Sequence, residues 1–187
     1  LKRSGLSPDK LKIEVTERVL LQDMDYMKMI MEEMTGEGFG FYLDDFGTGY
    51  ASMSYLKQLD VNEIKIDKMF VKDVEEATYN YRLISNMIEF AKNSGMRVCC
   101  EGVEDMRELT VLEGLSPSLF QGYLFSKPVP VEEFERSFID RSTPEYRKHE
   151  AFIQKIYDYK ESMHFIYFNT KNILRDTNLG LWIIRIN

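Results

Sequence analysis

Residues 39–67 read FGFYLDDFGTGYASMSYLKQLDVNEIKID, and the fold class turns on this stretch. It holds two short β-prone runs, Phe39–Leu43 and Glu63–Ile66, with Asp44 and Asp45 ending the first and Lys65 and Asp67 ending the second. A segment of helical length lies between them. Strand, helix and strand in succession form the repeat of a parallel sheet covered by helices. Working outward, Leu11–Val15 precedes this unit as a strand, and Arg97–Cys100 and Leu119–Leu124 follow it. Met24, Met27, Ile30, Met31 and Met34 share one helical face, and Gly36 and Gly38 stop that helix. Leu83, Ile84, Met87, Ile88 and Ala91 repeat in the same way before Gly95, and a third helix runs from about Asp105 towards Gly114. The methionines are read as core filler. An open doubly wound sheet and a closed barrel both satisfy this pattern. No Gly-x-Gly-x-x-Gly or Gly-Lys-Ser/Thr loop is present to favour a nucleotide-binding open sheet.

The chain has 187 residues, 44% of them hydrophobic and 29% charged, the composition of a globular protein with a core. A net charge of -7 argues against a DNA or RNA groove, which needs clustered Lys and Arg. No run approaches the ~20 apolar residues that span a bilayer. The adjacent Cys99 and Cys100 read as small core residues in a reducing cytoplasm. His149 and His164, far from each other and from cysteine, give no zinc signature and read as surface or linker residues. Leu1 in place of Met, and the β-prone run Leu181–Ile186, lead to the expectation of a fragment of a longer protein.

Beyond Asp140 the texture changes. Arg141–Pro144 reads as a break, and Phe152, Ile156, Tyr159, Met163 and Ile166 then recur at heptad-like spacing. The expected organisation is an α/β domain over residues 1–140, a helical linker over 141–173 and the start of a further domain over 174–187. The seam suits a paired helix in a homodimer of the parent protein, and so short a run equally fits a single helix packed on the domain.

Acidic residues gather at the carboxyl ends of the strands. Glu14, Asp44 with Asp45, Lys65, Glu101 with Glu104, and Gln121 come from five successive strands, about where the loops of a parallel α/β protein open on one rim. The strand through Glu14 is expected to continue as Val15-Thr16-Glu17, and Gln121 to lie within the fifth strand. One acid at a strand end is usually a turn former or helix cap. Like charges from several strands on one rim, however, repel unless a cation joins them. Hard oxygen donors without His or Cys point to Mg²⁺ or Mn²⁺. An Asp pair suits two such ions, a clamp for in-line displacement at phosphorus, with Lys65 holding a phosphate oxygen or a water. The residues thus indicate a metal-dependent phosphodiester hydrolase.

The motifs Glu14-Val15-Thr16-Glu17, Asp44-Asp45-Phe46-Gly47-Thr48-Gly49-Tyr50, Lys65-Ile66-Asp67-Lys68, Glu101-Gly102-Val103-Glu104 and Gln121-Gly122-Tyr123-Leu124-Phe125 resemble, in order, those of EAL domains. The resemblance covers about Leu6 to Phe138. It implies an incomplete (β/α)8 TIM-like barrel followed by a helical linker, and hydrolysis of cyclic di-GMP to linear pGpG with two Mg²⁺ or Mn²⁺ ions. Glu14 and Asp44 resemble ligands of the first metal, with Asp44 bridging, and Asp45 a ligand of the second. Glu101 resembles a metal ligand or general base, and Lys65 the lysine that positions water or phosphate. Glu104 and Gln121 match positions near the substrate, and Glu17 the anchor of a gate loop formed by Phe46, Gly47, Thr48, Gly49 and Tyr50. The family's Glu-Ala-Leu strand and Asn ligand have no counterpart ahead of Leu6. The fragment alone is therefore expected to be inactive, and a receptor without turnover is the alternative. Ile173-Leu174 with Thr177-Asn178-Leu179-Gly180-Leu181-Trp182 resembles the opening of a PAS-type domain, one of the additional signalling domains expected in the parent protein.

Overall fold

A computed structural model describes residues 5–49, 56 and 58–167, with side chains as far as Tyr159. The expected PAS-like opening and Tyr50 lie outside this description, as do the side chains of the later heptad positions. Contacts divide the chain after Gln121 into two compact units.

The first unit is a sheet with helices in its connections. Strand β1 (Lys12–Thr16) leads to the short helix α1 (Glu17–Leu20) and then to α2 (Met24–Gly36). β2 (Gly40–Phe46) and β3 (Glu63–Ile66) follow, and α3 (Lys68–Val71) and α4 (Thr78–Asn93) lead to β4 (Arg97–Cys100). α5 (Met106–Leu115) connects to the two-residue β5 (Leu119–Phe120). All pairings are parallel, and the spatial order β1-β2-β3-β4-β5 is the order of the sequence. An open doubly wound sheet reverses its order at a switch point, whereas a barrel winds in one direction. The sequential order therefore settles what periodicity leaves open, in favour of a TIM-like barrel arrangement.

Parallel register assigns each face of the sheet a separate task. Cα partners share a face, so Ile13, Phe41, Ile64 and Val98 point one way, and Val15, Leu43, Ile66 and Cys100 lie with them. From Phe41 through Cys100 these residues are buried, as are Ile84, Met87, Ile88 and Ala91 of α4. Full burial of each large side chain contributes about 1.5–3 kcal/mol. The opposite face carries Lys12, Glu14, Tyr42, Asp44, Glu63, Lys65, Arg97 and Cys99. Cys99 and Cys100 are buried free thiols, and burial pushes the Cys100 thiol up to about 12.

Three strand expectations are corrected. β1 ends at Thr16, whose side chain accepts from Val19 N–H, so Glu17 opens a helix instead of extending the strand. β2 runs on through Asp44 and Asp45 to Phe46, because a bulge lets it keep pairing with β3. β5 stops at Phe120, and Gln121 follows the strand. Gln121 N–H still donates to Cys100 C=O at 2.9 Å, but a turn closed by Phe125 N–H on Gly122 C=O takes the chain away.

The second unit contains α6 (Val131–Phe134), a π turn (Glu135–Ile139) and α7 (Pro144–Tyr167). The expected break at Arg141–Pro144 is a turn in which Thr143 accepts from Tyr146 N–H at 3.1 Å, and Pro144 opens α7. His149 is half-buried in this unit with its ring edge-on to Phe138, the centroids 4.5 Å apart, and burial lowers its pKa. Among the described residues no helix is long and apolar enough to cross a membrane.

Candidate active site

Side chains on consecutive strand residues ordinarily point to opposite faces, which would part Asp44 from Asp45. The bulge prevents this. Leu43 pairs with Ile64 and Phe46 with Ile66, so β2 has one residue more than β3 between these pairs. Asp45 takes up that extra residue in the left-handed region, at φ 54°. One carboxylate oxygen from each of Asp44, Asp45 and Glu101 consequently lies within 4.8 Å of the others. Three hard oxygens at this spacing suit a divalent cation such as Mg²⁺ or Mn²⁺ after a small closure.

Lys65 is the centre of the site. Its ammonium lies 2.7 Å from Glu101 Oε1, 2.8 Å from Glu14 Oε1 and 3.4 Å from Asp44 Oδ1, and its side chain is 3% exposed. Burial disfavours the charge, but the carboxylates of Glu101, Glu14 and Asp44 outweigh it and hold the pKa above the ordinary lysine range. Burial also raises Glu101, an effect opposed by Lys65 and reinforced by Asp44 and Glu14. Glu14 thus belongs to the Lys65 side of the cluster rather than to the three-oxygen group.

The expected gate residues lie beside it. The buried Glu17 carboxylate accepts from Gly47 N–H at 3.0 Å and from Gly49 N–H at 3.1 Å, both through Oε2. Thr48 Oγ1 donates to Asp45 C=O at 2.8 Å, which ties the turn to the bulge. Gly47 has φ 97°, and a Cβ there would lie 2.6 Å from Met87 Cε and 2.8 Å from Phe70 Cε2. Phe46 is buried and faces away from the acids. Removing the carboxylate in Glu17→Ala leaves two N–H groups without their charged acceptor, each such bond contributing about 1.5–3 kcal/mol. The variant full-length protein is expected to be cut faster by protease within residues 46–49. Unchanged cutting would leave Glu17 without an anchoring role.

The remaining expected residues are more dispersed. Glu104 is exposed, and its N–H donates at 2.7 Å to Glu108 Oε2, the oxygen that also accepts from Asp105 N–H in the capping box that starts α5. Gln121 is half-buried, and its Oε1 is enclosed with no hydrogen-bond partner among the described residues. A cavity of about 830 Å³ lies at the other end of the strands, lined in part by Lys12, Tyr42, Asn62 and Arg97, and holds none of the acidic cluster.

The sequence reading passes over a second polar layer beneath the first. Arg97 Nη2 lies 2.9 Å from Glu63 Oε2 and donates to Tyr42 Oη at 2.6 Å. Burial raises the Glu63 carboxyl, with Arg97 and Lys65 pulling it back. The signal is the period of two: Tyr42 precedes Asp44, and Glu63 precedes Lys65, by one same-face step.

Comparison with known proteins agrees with this geometry. The cyclic di-GMP phosphodiesterase NbdA of Pseudomonas aeruginosa is 34% identical over 150 residues, which cover 79% of this chain and 19% of that protein. The chain therefore spans about a fifth of this relative's length. The structure of the PaMucR phosphodiesterase in complex with c-di-GMP superposes with a TM-score of 0.69 at 34% identity, covering 72% of this chain and 54% of that one. Klebsiella pneumoniae BlrP1, in a manganese and cy-diGMP complex, gives 0.66 at 32% identity, covering 68% and 33%. The EAL domain pattern itself matches residues 1–128. With its acids and lysine set at the ends of sequentially ordered parallel strands, this chain belongs to the EAL domain family.

Proposed function

We propose that the protein to which this chain belongs hydrolyses cyclic di-GMP to linear pGpG. The observation that carries the reading is the approach of Asp44, Asp45 and Glu101 oxygens within 4.8 Å beside a buried, charged Lys65. The names of the relatives supply the substrate. Two Mg²⁺ or Mn²⁺ ions, held by Asp44, Asp45, Glu101 and Glu14, would supply an activated water and charge stabilisation at the phosphoryl oxygens. In that role Glu14 would give up its 2.8 Å contact with Lys65.

Lys65 is a fixed positive charge and donor, not a base, and it orients the water or a phosphate oxygen. Glu101 acts as a metal ligand or accepts the proton of the attacking water. The water oxygen joins phosphorus, one ester P–O bond of the ring opens, and the released oxygen takes a proton. Gln121, whose Oε1 has no partner among the described residues, and the exposed Glu104 are read as groups close to the substrate. Glu17 holds the gate loop through Gly47 and Gly49. The wider reading is of a cytoplasmic, homodimeric protein, with the EAL part ending near residue 140, α7 in the linker and further signalling domains in the same chain.

The test is metal depletion of the full-length protein. Treatment with EDTA is expected to abolish pGpG formation, and Mg²⁺ or Mn²⁺ to restore it. Full activity in the metal-free protein would overturn the proposal.

A further inference from the structure

The polar face of the sheet is built in two layers, and the lower layer contains a competitor for Lys65. Glu63 sits one same-face step before Lys65 on β3, about 7 Å away along the strand. It is 1% exposed and carries a carboxylate. The lysine stem is flexible, so nearby anions decide where its ammonium rests. In the structure Lys65 turns to the upper layer, towards Glu101, Glu14 and Asp44. Glu63 instead pairs with Arg97, its register partner on β4. Arg97 is itself held against Tyr42, which is Glu63's register partner on β2, through the Tyr42 hydroxyl and with its guanidinium 5.7 Å from the ring centroid.

The need for this arrangement is greatest when cations are bound. A divalent ion held by Asp44, Asp45 and Glu101 would neutralise carboxylates that attract Lys65 and would repel its ammonium. An unmasked Glu63 would then draw the ammonium down, away from the reacting phosphate. We propose that Arg97, fixed by Tyr42, is a positioning residue that masks Glu63 and so keeps Lys65 in the catalytic layer. The inference rests on the reading of Lys65 as a catalytic group given above.

The experiment uses the full-length protein and three substitutions. In Arg97→Met, kcat is expected to fall about tenfold while KM for cyclic di-GMP stays within about threefold. Mn²⁺ titrated without nucleotide should bind several-fold more tightly, because the ammonium no longer competes for the acidic cluster. Adding Glu63→Gln removes the competing charge and should bring kcat back to within about threefold of wild type, as should Arg97→Lys in place of Arg97→Met. General loosening of the sheet would instead weaken Mn²⁺ binding and would not be relieved by Glu63→Gln. Should Arg97→Met fold poorly, Arg97→Gln serves in the same comparison. Unchanged kcat in the single variant, or a loss that Glu63→Gln fails to relieve, would overturn the inference. If the wild-type protein does not turn over at all, the catalytic reading fails. Mn²⁺ binding then decides the effect on Lys65, and unchanged or weaker binding in Arg97→Met overturns it.

Discussion

Asp44→Asn in the full-length protein is expected to lower kcat by about 10²–10⁴-fold, and Glu101→Gln by a similar factor. Both substitutions keep the shape of the side chain and remove its charge. Asp44 is 4% exposed, belongs to the three-oxygen cluster and also lies 3.4 Å from the Lys65 ammonium, so its charge serves both. An amide there weakens cation binding and leaves Lys65 with Glu14 and Glu101 alone. The fold should survive, because two carboxylates within 2.8 Å still compensate the buried ammonium. Turnover at saturating Mn²⁺, measured with the thermal midpoint, separates lost chemistry from lost structure. Wild-type kcat in Asp44→Asn would exclude it as a metal ligand in the reaction.

The second large effect is expected at Gly102, where the backbone crosses the start of α3. A Cβ there would lie 2.3 Å from Lys68 Cβ and 3.2 Å from Lys68 Cα, and the residue has φ +74°. Gly95 has the same φ, but a Cβ on it would meet nothing within 4 Å, which makes it a matched control. Gly95→Ala should cost about 1–2 kcal/mol, the penalty for a left-handed alanine. Gly102→Ala adds a collision with a neighbouring backbone and should cost about 2–4 kcal/mol. Because Gly102 follows Glu101 directly, any shift that relieves the collision displaces the carboxylate, so turnover should fall as well. Chemical denaturation of both variants checks the ordering. Equal destabilisation would mean that the contact with Lys68 is easily relieved.

The short alternating runs were the legible part of the sequence. Glu63–Ile66 and Arg97–Cys100 have the bounds expected from their patterns. In the first, Ile64 and Ile66 alternate with charged residues, and in the second Arg97 marks the start of a short apolar run. Where the backbone departs from period, legibility fails. Asp45 adopts a left-handed conformation with no glycine to announce it, so the bulge and the extension of β2 to Phe46 were hidden. Thr16 looks like one more β-branched strand residue, yet it caps α1, and Glu17 turns back to the loop after β2. The acids of the upper layer stood out through their position near strand ends. Tyr42, Glu63 and Arg97 did not, since each alone resembles an ordinary strand residue. Their relation becomes visible only when β2, β3 and β4 are aligned in register.

The bulge in β2 also means that the acidic pair depends on counting as much as on chemistry. An exchange of Asp for Glu at position 44 or 45 alters reach and leaves the parity of the strand untouched. Loss of a single residue between Leu43 and Phe46 would restore an even ladder with β3. The one aspartate left between Leu43 and Phe46 would then stand level with Lys65 on the polar face, and the second carboxylate of the pair would be gone. A chain with that deletion could retain a recognisable barrel sheet while losing the local geometry on which its charge cluster depends. For this segment, alignment length is a more sensitive indicator of a working site than residue identity.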